Sequence, residues 1–429
     1  MKIFYKTLVL TALITLTSCS KEKQITNKKD YVQYLSISDN ELLSTIKQER
    51  SFWTTKLNES PNQFLYLAKI ARAESNLFEN TGNIKNLINA EQKLIEINTK
   101  TNYNNASYLR MLSKNYISQH KFNEALLVLK KAELNGEDLL STQKMLFDVY
   151  LELGNTTEAQ NYLSLFENES DFDYLIRLSK WSNYQGNLSL AIFSMKKATK
   201  MAEQLNNKNL MQWSYTNLAD FLGHANQIKA SYNYYLKALE INPHDSYAKK
   251  GIAWIVYSYE RNPTEALHIL NNIGYEKTTP DHQLLKAEIY EFMKNENQRK
   301  KAINSYVTLV ENKLYGAMYN SYNIDINLDE FNNIDKAIEI AKEEIKNRPT
   351  PQSYDLLAWS YFKKGNLNEA VKIIDKYVIN KTSEPEVLYH IAKIYKANNH
   401  MDYIANIKKE LLDSSYELGP IMEQKINKI

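Results

Sequence analysis

The chain has 429 residues, with 10 glycines, 8 prolines, 31 tyrosines, one cysteine and a formal net charge of +3 at pH 7. A chain of this length is longer than one compact core usually requires, so it forms either several domains or a solenoid whose core grows with its length. The near-neutral charge disfavours a nucleic-acid partner, because such proteins usually carry a strongly basic face.

The first 18 residues have the order of a secretory signal peptide. Lys2 and Lys6 precede an apolar run from Leu8 to Leu16, and small residues then lead to Cys19. The run is too short to cross a bilayer, which requires about 20 residues. It resembles the lipobox of bacterial lipoproteins, and the resemblance implies cleavage before Cys19 and a diacylglycerol on its thiol. The alternatives are an ordinary cleaved signal peptide and a thiol buried by chance.

The next segments are a linker and a helix. The resemblance implies a lipidated Cys19, and the polar and charged residues that follow it predict a flexible tether, so residues 19–39 form one segment. Residues 40–58 place Leu43, Ile46, Trp53 and Leu57 on one side of a helix, which predicts an N-terminal helix before the rest of the fold.

A repeat of about 35 residues fills most of the remaining chain. In most copies, a small marker residue is followed four positions later by a large apolar one, as expected for one helix face. The markers are Ala90, Ala125, Ala159, Ala191, Ser231, Ala266, Ala302, Ala337, Ala370 and, in the same frame, Ile404. A second apolar stripe precedes the marker, so each repeat predicts two helices. Gly154, Gly186 and Gly365 lie five residues before their markers and predict the intervening turn.

This pattern is similar to the tetratricopeptide repeat, and the similarity extends over residues 59–413. It implies an all-α fold, a right-handed superhelical solenoid of about ten antiparallel helix pairs. Residues 414–429 predict a C-terminal capping helix that covers the last apolar face. The pattern is weakest before Ala337, where Asp325 occupies the position of a small residue, and near Lys294–Arg299, where about three extra residues separate the helices.

No constellation of catalytic or metal-binding residues is evident. The seven histidines form no pair at a spacing of four, and the sequence lacks a phosphate-binding glycine loop and a G-x-S-x-G nucleophile motif. We therefore predict that the protein is not an enzyme and requires no cofactor and no metal.

The resemblance implies that the first helix of each pair lines a concave groove. The candidate partner-binding residues counted from the repeat frame are Arg110, Lys114, Tyr184, Trp213, Asp220, His224, Ile255, Tyr259 and Trp359. An aromatic centre with charged margins suits a peptide or helix of another protein. In the alternative interpretation, Trp213 and Tyr259 pack against neighbouring helices.

These observations predict a non-catalytic, membrane-anchored scaffold that binds other envelope proteins or peptides. We expect it at the bacterial outer membrane, on the periplasmic or the surface face, with no nucleic-acid partner. The alternative is an envelope lipoprotein that captures a glycan or nutrient on the same helical scaffold. Recognition of RNA, as in the related pentatricopeptide arrays, is disfavoured because removing residues 1–18 leaves a charge of only +1.

Overall fold

The computed structural model describes residues 24–37, 40–273, 279–401 and 403–429. These residues form 23 α-helices and no strand, which confirms the predicted all-α fold. The predicted export signal and Cys19 lie outside the described residues.

Ten consecutive helix pairs follow two N-terminal helices, α1 Lys28–Leu35 and α2 Glu41–Glu59. The pairs are α3 Leu65–Thr81 with α4 Ile84–Lys100, α5 Ala106–Ser118 with α6 Phe122–Asn135, α7 Leu139–Glu152 with α8 Thr156–Leu165, α9 Phe172–Tyr184 with α10 Leu188–Gln204, α11 Lys208–His224 with α12 Ile228–Ile241, α13 Ser246–Trp254 with α14 Pro263–Asn271, α15 Pro280–Phe292 with α16 Glu296–Val310, α17 Asn320–Asp329 with α18 Ile334–Asn347, α19 Pro351–Lys363 with α20 Leu367–Ile373, and α21 Pro385–Ala397 with α22 Ile404–Asp413. The helix α23 Ser415–Ile426 ends the chain, and π-helical turns at Ile255–Tyr259 and Ile374–Val378 continue α13 and α20.

The marker residues lie where the helices of a pair approach most closely. All ten fall on the second helix of their pair and all are buried. Eight have no solvent exposure: Ala90, Ala125, Ala159, Ala191, Ser231, Ala266, Ala337 and Ala370. Small side chains are required there because a bulkier one would separate two closely packed backbones. The repeat frame read from the sequence therefore describes the packing correctly.

The turns between paired helices combine a left-handed glycine with an asparagine cap. Gly154, Gly186 and Gly365 have φ angles of 67°, 75° and 83°, a conformation that costs glycine little. The next residue is an asparagine in each case. Asn155, for example, accepts a hydrogen bond from the backbone N–H of Glu158 at 3.2 Å and so satisfies one free donor at the start of α8.

The N-terminal linker is not flexible throughout, and the predicted tether is wrong for residues 24–35. The backbone N–H groups of Ile25 and Thr26 donate to the carboxylate of Glu260 at 2.7 and 2.6 Å. Tyr31 of α1 is 2% exposed, and its hydroxyl donates to Glu265 at 3.1 Å. The polar composition of this segment gave no sign of the docking, because the partners are carboxylates far along the chain. They hold the segment against α12 and α14.

The array curves enough for distant repeats to touch. Arg348, just after α18, pairs with Glu152 of α7 at 2.7 Å, and the Asn347 amide donates to the carbonyl of His120 at 2.7 Å. Tyr315 is buried against a cluster that includes Leu87 of α4. These contacts join residues separated by about 200 positions or more, so the solenoid closes on itself rather than remaining an open rod.

The C-terminal helix covers more than the last repeat. Ile426 is fully buried in the core of the last repeats, as expected of a cap. Nearer its start, α23 lies against α11, α15 and the π-helical turn after α13, all first-helix elements. The backbone carbonyl of Tyr416 accepts hydrogen bonds from Trp254 Nε1 at 3.1 Å and from Ser258 Oγ at 2.6 Å. The helix therefore crosses the centre of the first-helix face.

Candidate functional site

Helix α11 brings together three of the nine candidate residues. Trp213, Asp220 and His224 are separated by seven and four positions, which places them along one face of α11. The indole of Trp213 is 43% exposed and makes an edge contact with Phe172 at a ring separation of 6.2 Å. Trp213 thus packs at one edge, as the alternative interpretation held, and still offers much of its ring to a partner.

Trp213 lines a cleft of about 750 Å³ between helices α2 and α3 on one side and α11 and α13 on the other. Tyr247, which is 47% exposed, lies in the same cleft. Side-chain amides are its most frequent polar groups: Asn40, Asn76, Asn80, Asn209, Gln212, Asn217 and Asn242. We call this region the amide cleft. Amides both donate and accept hydrogen bonds, so they match the groups of a polypeptide backbone.

Asp220 and His224 line a second, adjacent cavity of about 570 Å³, which we call the aromatic cavity. Its rings come from successive repeats and from α23, and they are Tyr235, Tyr247, Trp254, Tyr322 and Tyr416. Tyr247 lines both the aromatic cavity and the amide cleft. The two spaces are therefore neighbours on α11 and α13 that share the Tyr247 side chain.

Most carboxylates of the aromatic cavity already have partners. Asp220 accepts hydrogen bonds from the hydroxyls of Tyr235 and Tyr247, and burial nevertheless raises its pKa. Asp281 pairs with Lys250 at 2.8 Å. Burial opposes ionisation of Asp281, but the neighbouring Lys250 ammonium outweighs it and lowers the pKa to about 2.

Glu288 of α15 differs from the other carboxylates of the cavity. Its Oε1 accepts a hydrogen bond from the Tyr257 hydroxyl at 3.1 Å, and no Lys or Arg of the described residues forms an ion pair with it. Burial is the main cause that raises its pKa to about 7. A substantial fraction of Glu288 is therefore protonated at neutral pH.

His224 links the cavity to the C-terminal helix. Its Nδ1 lies 3.2 Å from Glu417 Oε1 on α23. Burial disfavours the imidazolium, but the hydrogen bond to Glu417 and the nearby Asp220 carboxylate outweigh burial and raise the pKa of His224. Protonation of His224 therefore strengthens the docking of α23.

These shifts predict that the region around the cavity is more stable at pH 6 than at pH 8. Glu288 and His224 both have a raised pKa in the folded state, so their contribution is present at low pH and is lost as pH rises through the folded pKa. The free energy of unfolding should fall by about 1 kcal/mol between these pH values, mainly through Glu288. Urea denaturation at both pH values measures it.

The Glu288→Gln variant provides the control for this prediction. Glutamine has no proton to lose, so most of the difference between pH 6 and pH 8 should disappear in it. Other charged groups that act on Glu288 are Glu291, Lys425 and Glu386, and all three are unchanged in this variant. Equal stability of the unmodified protein at the two pH values would contradict the assignment.

Two candidate residues are inaccessible to a partner, and those predictions were wrong. Ile255 has no solvent exposure, because it begins the π-helical turn Ile255–Tyr259. A π turn adds one residue to the helix, so the groove position counted back from Ala266 is one residue too close to the C-terminus. Trp254 takes the groove position instead and lines the aromatic cavity.

Trp359 is buried for a different reason. It is 6% exposed because its ring stacks on His390 at 4.1 Å, with an angle of 15° between the ring planes. His390 in turn lies 2.7 Å from the buried Asp355 carboxylate. The repeat frame placed Trp359 correctly on the first-helix face, but the side chains of the next repeat cover it.

The remaining candidates lie apart from the α11–α13 surface. Arg110 donates to the backbone carbonyl of Glu137 at 2.9 Å and so ties two repeats together. Lys114 has a 71% exposed side chain, and Tyr184 lines a separate cleft beside α19. Tyr259 is half-buried at the end of the π-helical turn. The structure therefore divides the predicted groove into separate regions.

The polar and aromatic lining residues that sequence reasoning missed are Tyr235, Tyr247, Lys250, Trp254, Asp281, Glu288, Tyr322, Tyr416 and Glu417. Correcting the repeat frame by one position before the π-helical turn recovers Lys250 and Trp254. No local signal in the sequence brings Tyr416 to α11, because that contact depends on the course of the whole superhelix.

Within the described ranges, no helix has both the length and the apolarity needed to cross a membrane. The same residues contain no cluster of three or more His, Cys, Asp or Glu side chains arranged to hold a metal ion.

Comparison with known proteins identifies tetratricopeptide repeats in two segments. The tetratricopeptide repeat family model matches residues 214–245 and 351–378, which correspond to α11–α12 and to α19–α20 with its π-helical turn. No curated protein matches the chain.

Several solved structures are similar at low sequence identity. Human IFIT1, solved as a dimer with m7Gppp-AAAA, is 14% identical, with a TM-score of 0.48 over 77% of this chain and 75% of that one. A tetratricopeptide repeat protein from Parabacteroides merdae is 18% identical, with a TM-score of 0.40 over 56% and 94%. Yeast Tom70 is 14% identical, with a TM-score of 0.36 over 94% of both chains.

Proposed function

We propose that the protein is a non-catalytic scaffold, anchored to a bacterial membrane by lipid, that binds other envelope proteins or peptides. The observation that carries this proposal is the amide cleft, a space of about 750 Å³ that the exposed ring of Trp213 helps to line. Helical repeat arrays present such extended surfaces to partners because each repeat contributes one helix to the same face.

The amide cleft favours an extended segment of polypeptide as the partner. Several of its amides already make one hydrogen bond within the protein, such as Gln212 to Asp245 and Asn217 to the carbonyl of Trp213. An amide has two N–H donors and two acceptor sites, so each keeps capacity to pair with backbone N–H and C=O groups regardless of the partner's own side chains. Trp213 and Tyr247 supply the large, partly exposed rings that typically dominate the free energy of binding. Affinity would then come from the two rings, and orientation from the amides.

The docking of the N-terminal segment limits how far the scaffold stands from the membrane. Only six chain steps separate Cys19 from Ile25, whose N–H is already bound to Glu260. A fully extended chain covers about 3.3–3.6 Å per residue, so these steps reach about 20 Å at most. With a lipid on Cys19, the surface around α12 and α14 would be held close to the bilayer of the outer membrane.

Replacing the proposed lipid-bearing residue tests the anchor. In Cys19→Ala, the thiol that would accept diacylglycerol is absent, and we expect the protein to move from the membrane fraction to the soluble or precursor fraction. Stable anchoring requires more apolar area than one short acyl chain provides, so loss of the lipid should leave little residual binding. Immunoblots of fractionated cells measure the distribution.

Ser18→Ala serves as the matched control, since it keeps a small residue before the cysteine and should leave the protein in the membrane fraction. Membrane association of Cys19→Ala equal to that of the unmodified protein would overturn the anchoring proposal.

Capture of a glycan or nutrient is the second candidate function, and the aromatic cavity favours it. Five rings and several carboxylates surround a space of about 570 Å³, within the usual size of small-ligand sites. Calorimetric titration with a panel of oligosaccharides distinguishes this function from partner binding.

A further inference from the structure

The aromatic cavity is a built space between six helices. Helices α11, α13 and α15 supply most of its lining, Tyr235 comes from α12 and Tyr322 from α17, and α23 closes it with Tyr416 and Glu417. Its volume of about 570 Å³ accommodates a small molecule or a single long side chain. The amide cleft adjoins it at Tyr247, which lines both spaces.

Two carboxylates of the cavity, Asp220 and Glu288, form no ion pair with a cationic side chain of the described residues. Lys250 is engaged by Asp281 at 2.8 Å, and His224 by Glu417 at 3.2 Å. Asp220 is held by two tyrosine hydroxyls. Glu288 accepts a hydrogen bond only from the Tyr257 hydroxyl, and its carboxylate forms no ion pair among the described residues. Glu288, with this single hydrogen bond, is therefore the carboxylate with the most free acceptor capacity, and a bound cation would favour its ionised form over the protonated one.

The rings beside Glu288 suit a cation as well. Trp254, Tyr322 and Tyr416 line the cavity together with it. The faces of aromatic rings carry negative charge density and attract ammonium or guanidinium groups within about 6 Å of their centres. Tyr322 is 44% exposed, so its ring is available to a ligand. A carboxylate and aromatic rings in one cavity recognise a cationic head on an apolar stem.

We propose that the aromatic cavity binds a primary ammonium group on an alkyl chain, with Glu288 as its counter-ion and Trp254, Tyr322 and Tyr416 around its stem. This site is distinct from the amide cleft and goes beyond the proposed scaffold function. The ammonium belongs either to a free diamine or to a lysine side chain of a bound protein. An anion is excluded, because both cationic side chains of the cavity are already paired with carboxylates.

Isothermal titration of the full-length protein in detergent tests the proposal with 1,5-diaminopentane and with Nα-acetyl-lysine amide. At least one should bind, while the neutral pentane-1,5-diol should bind at least tenfold more weakly. Glu288→Gln keeps the shape but removes the charge, and should weaken amine binding at least tenfold, as expected for loss of a charge-assisted hydrogen bond. Tyr322→Leu should weaken it several-fold, whereas Tyr322→Phe should not.

Glu291→Gln is the matched control, because Glu291 is an exposed carboxylate on the same helix and does not line the cavity. Binding of the diamine alone assigns the site to free amines, and binding of the lysine derivative assigns it to a protein side chain. Circular dichroism confirms that each variant is folded. The proposal is overturned if neither amine binds, if the diol binds equally well, if oligosaccharides bind in their place, or if Glu288→Gln retains full affinity.

Discussion

Removing residues 414–429 is expected to lower the free energy of unfolding by about 4–7 kcal/mol. Ile426 is fully buried, and truncating a buried Ile to Ala alone typically costs about 2–5 kcal/mol. The truncation also leaves Trp254 Nε1 and Ser258 Oγ without the Tyr416 carbonyl, and each lost hydrogen bond adds about 1 kcal/mol. Urea denaturation followed by circular dichroism measures the loss.

Hydrogen exchange locates the effect of this truncation. Because α23 contacts both the last repeat and the centre of the array, protection should fall in α21–α22 and also in α11 and α13. Removal of residues 427–429 alone is the comparison variant and should cost much less. It spares Ile426 and the contacts of Tyr416, and it loses the partly buried Ile429 and the carbonyls that accept from Lys396 and Lys408. A truncated chain as stable as the full-length protein would show that α23 lies on the array without stabilising it.

The repeat architecture was predictable because it depends on short-range patterns. A small residue at a fixed position on each second helix, with an apolar residue four positions later, defines close helix pairs in any array of this kind. The glycine turns were predictable for the same reason. The backbone at Gly154 is left-handed, a conformation that glycine adopts readily and most other residues adopt only at a cost. These features involve residues within one repeat.

The surface was less predictable because it depends on phase and on contacts between distant residues. The π-helical turn Ile255–Tyr259 contains one added residue, which places Ile255 in the core and Trp254 on the outer face. No residue type in the sequence predicts that turn. The docking of Tyr31 against Glu265 and of Tyr416 against Trp254 joins positions more than 150 residues apart. Such contacts follow from the curvature of the whole solenoid.

Replacing the two exposed rings of the amide cleft should abolish capture of protein partners. Trp213→Ala combined with Tyr247→Ala removes both aromatic anchors, and anchors of this kind each contribute about 2 kcal/mol or more to binding. The pair should therefore weaken binding at least 100-fold. The sequence suggested Tyr259 as the second anchor, but Tyr259 is half-buried, whereas Tyr247 is 47% exposed and lines the cleft.

Phe193→Ala is the control for this pair of substitutions. Phe193 is 63% exposed on α10, a second helix of its pair, and it does not line the amide cleft. Its removal takes away an exposed ring of similar size without touching the proposed site. Partner capture by Phe193→Ala should equal that of the unmodified protein.

The claim that the amide cleft holds protein partners is tested most directly by photo-cross-linking in native envelopes. A photoreactive amino acid is placed at position 213 or, for comparison, at position 193, and cross-linked chains are identified after purification of the lipidated protein. The account predicts discrete cross-linked partners from position 213, none of them from position 193, and their loss when Tyr247 is replaced by alanine. The same partners from both positions, or partners from position 193 alone, would contradict it.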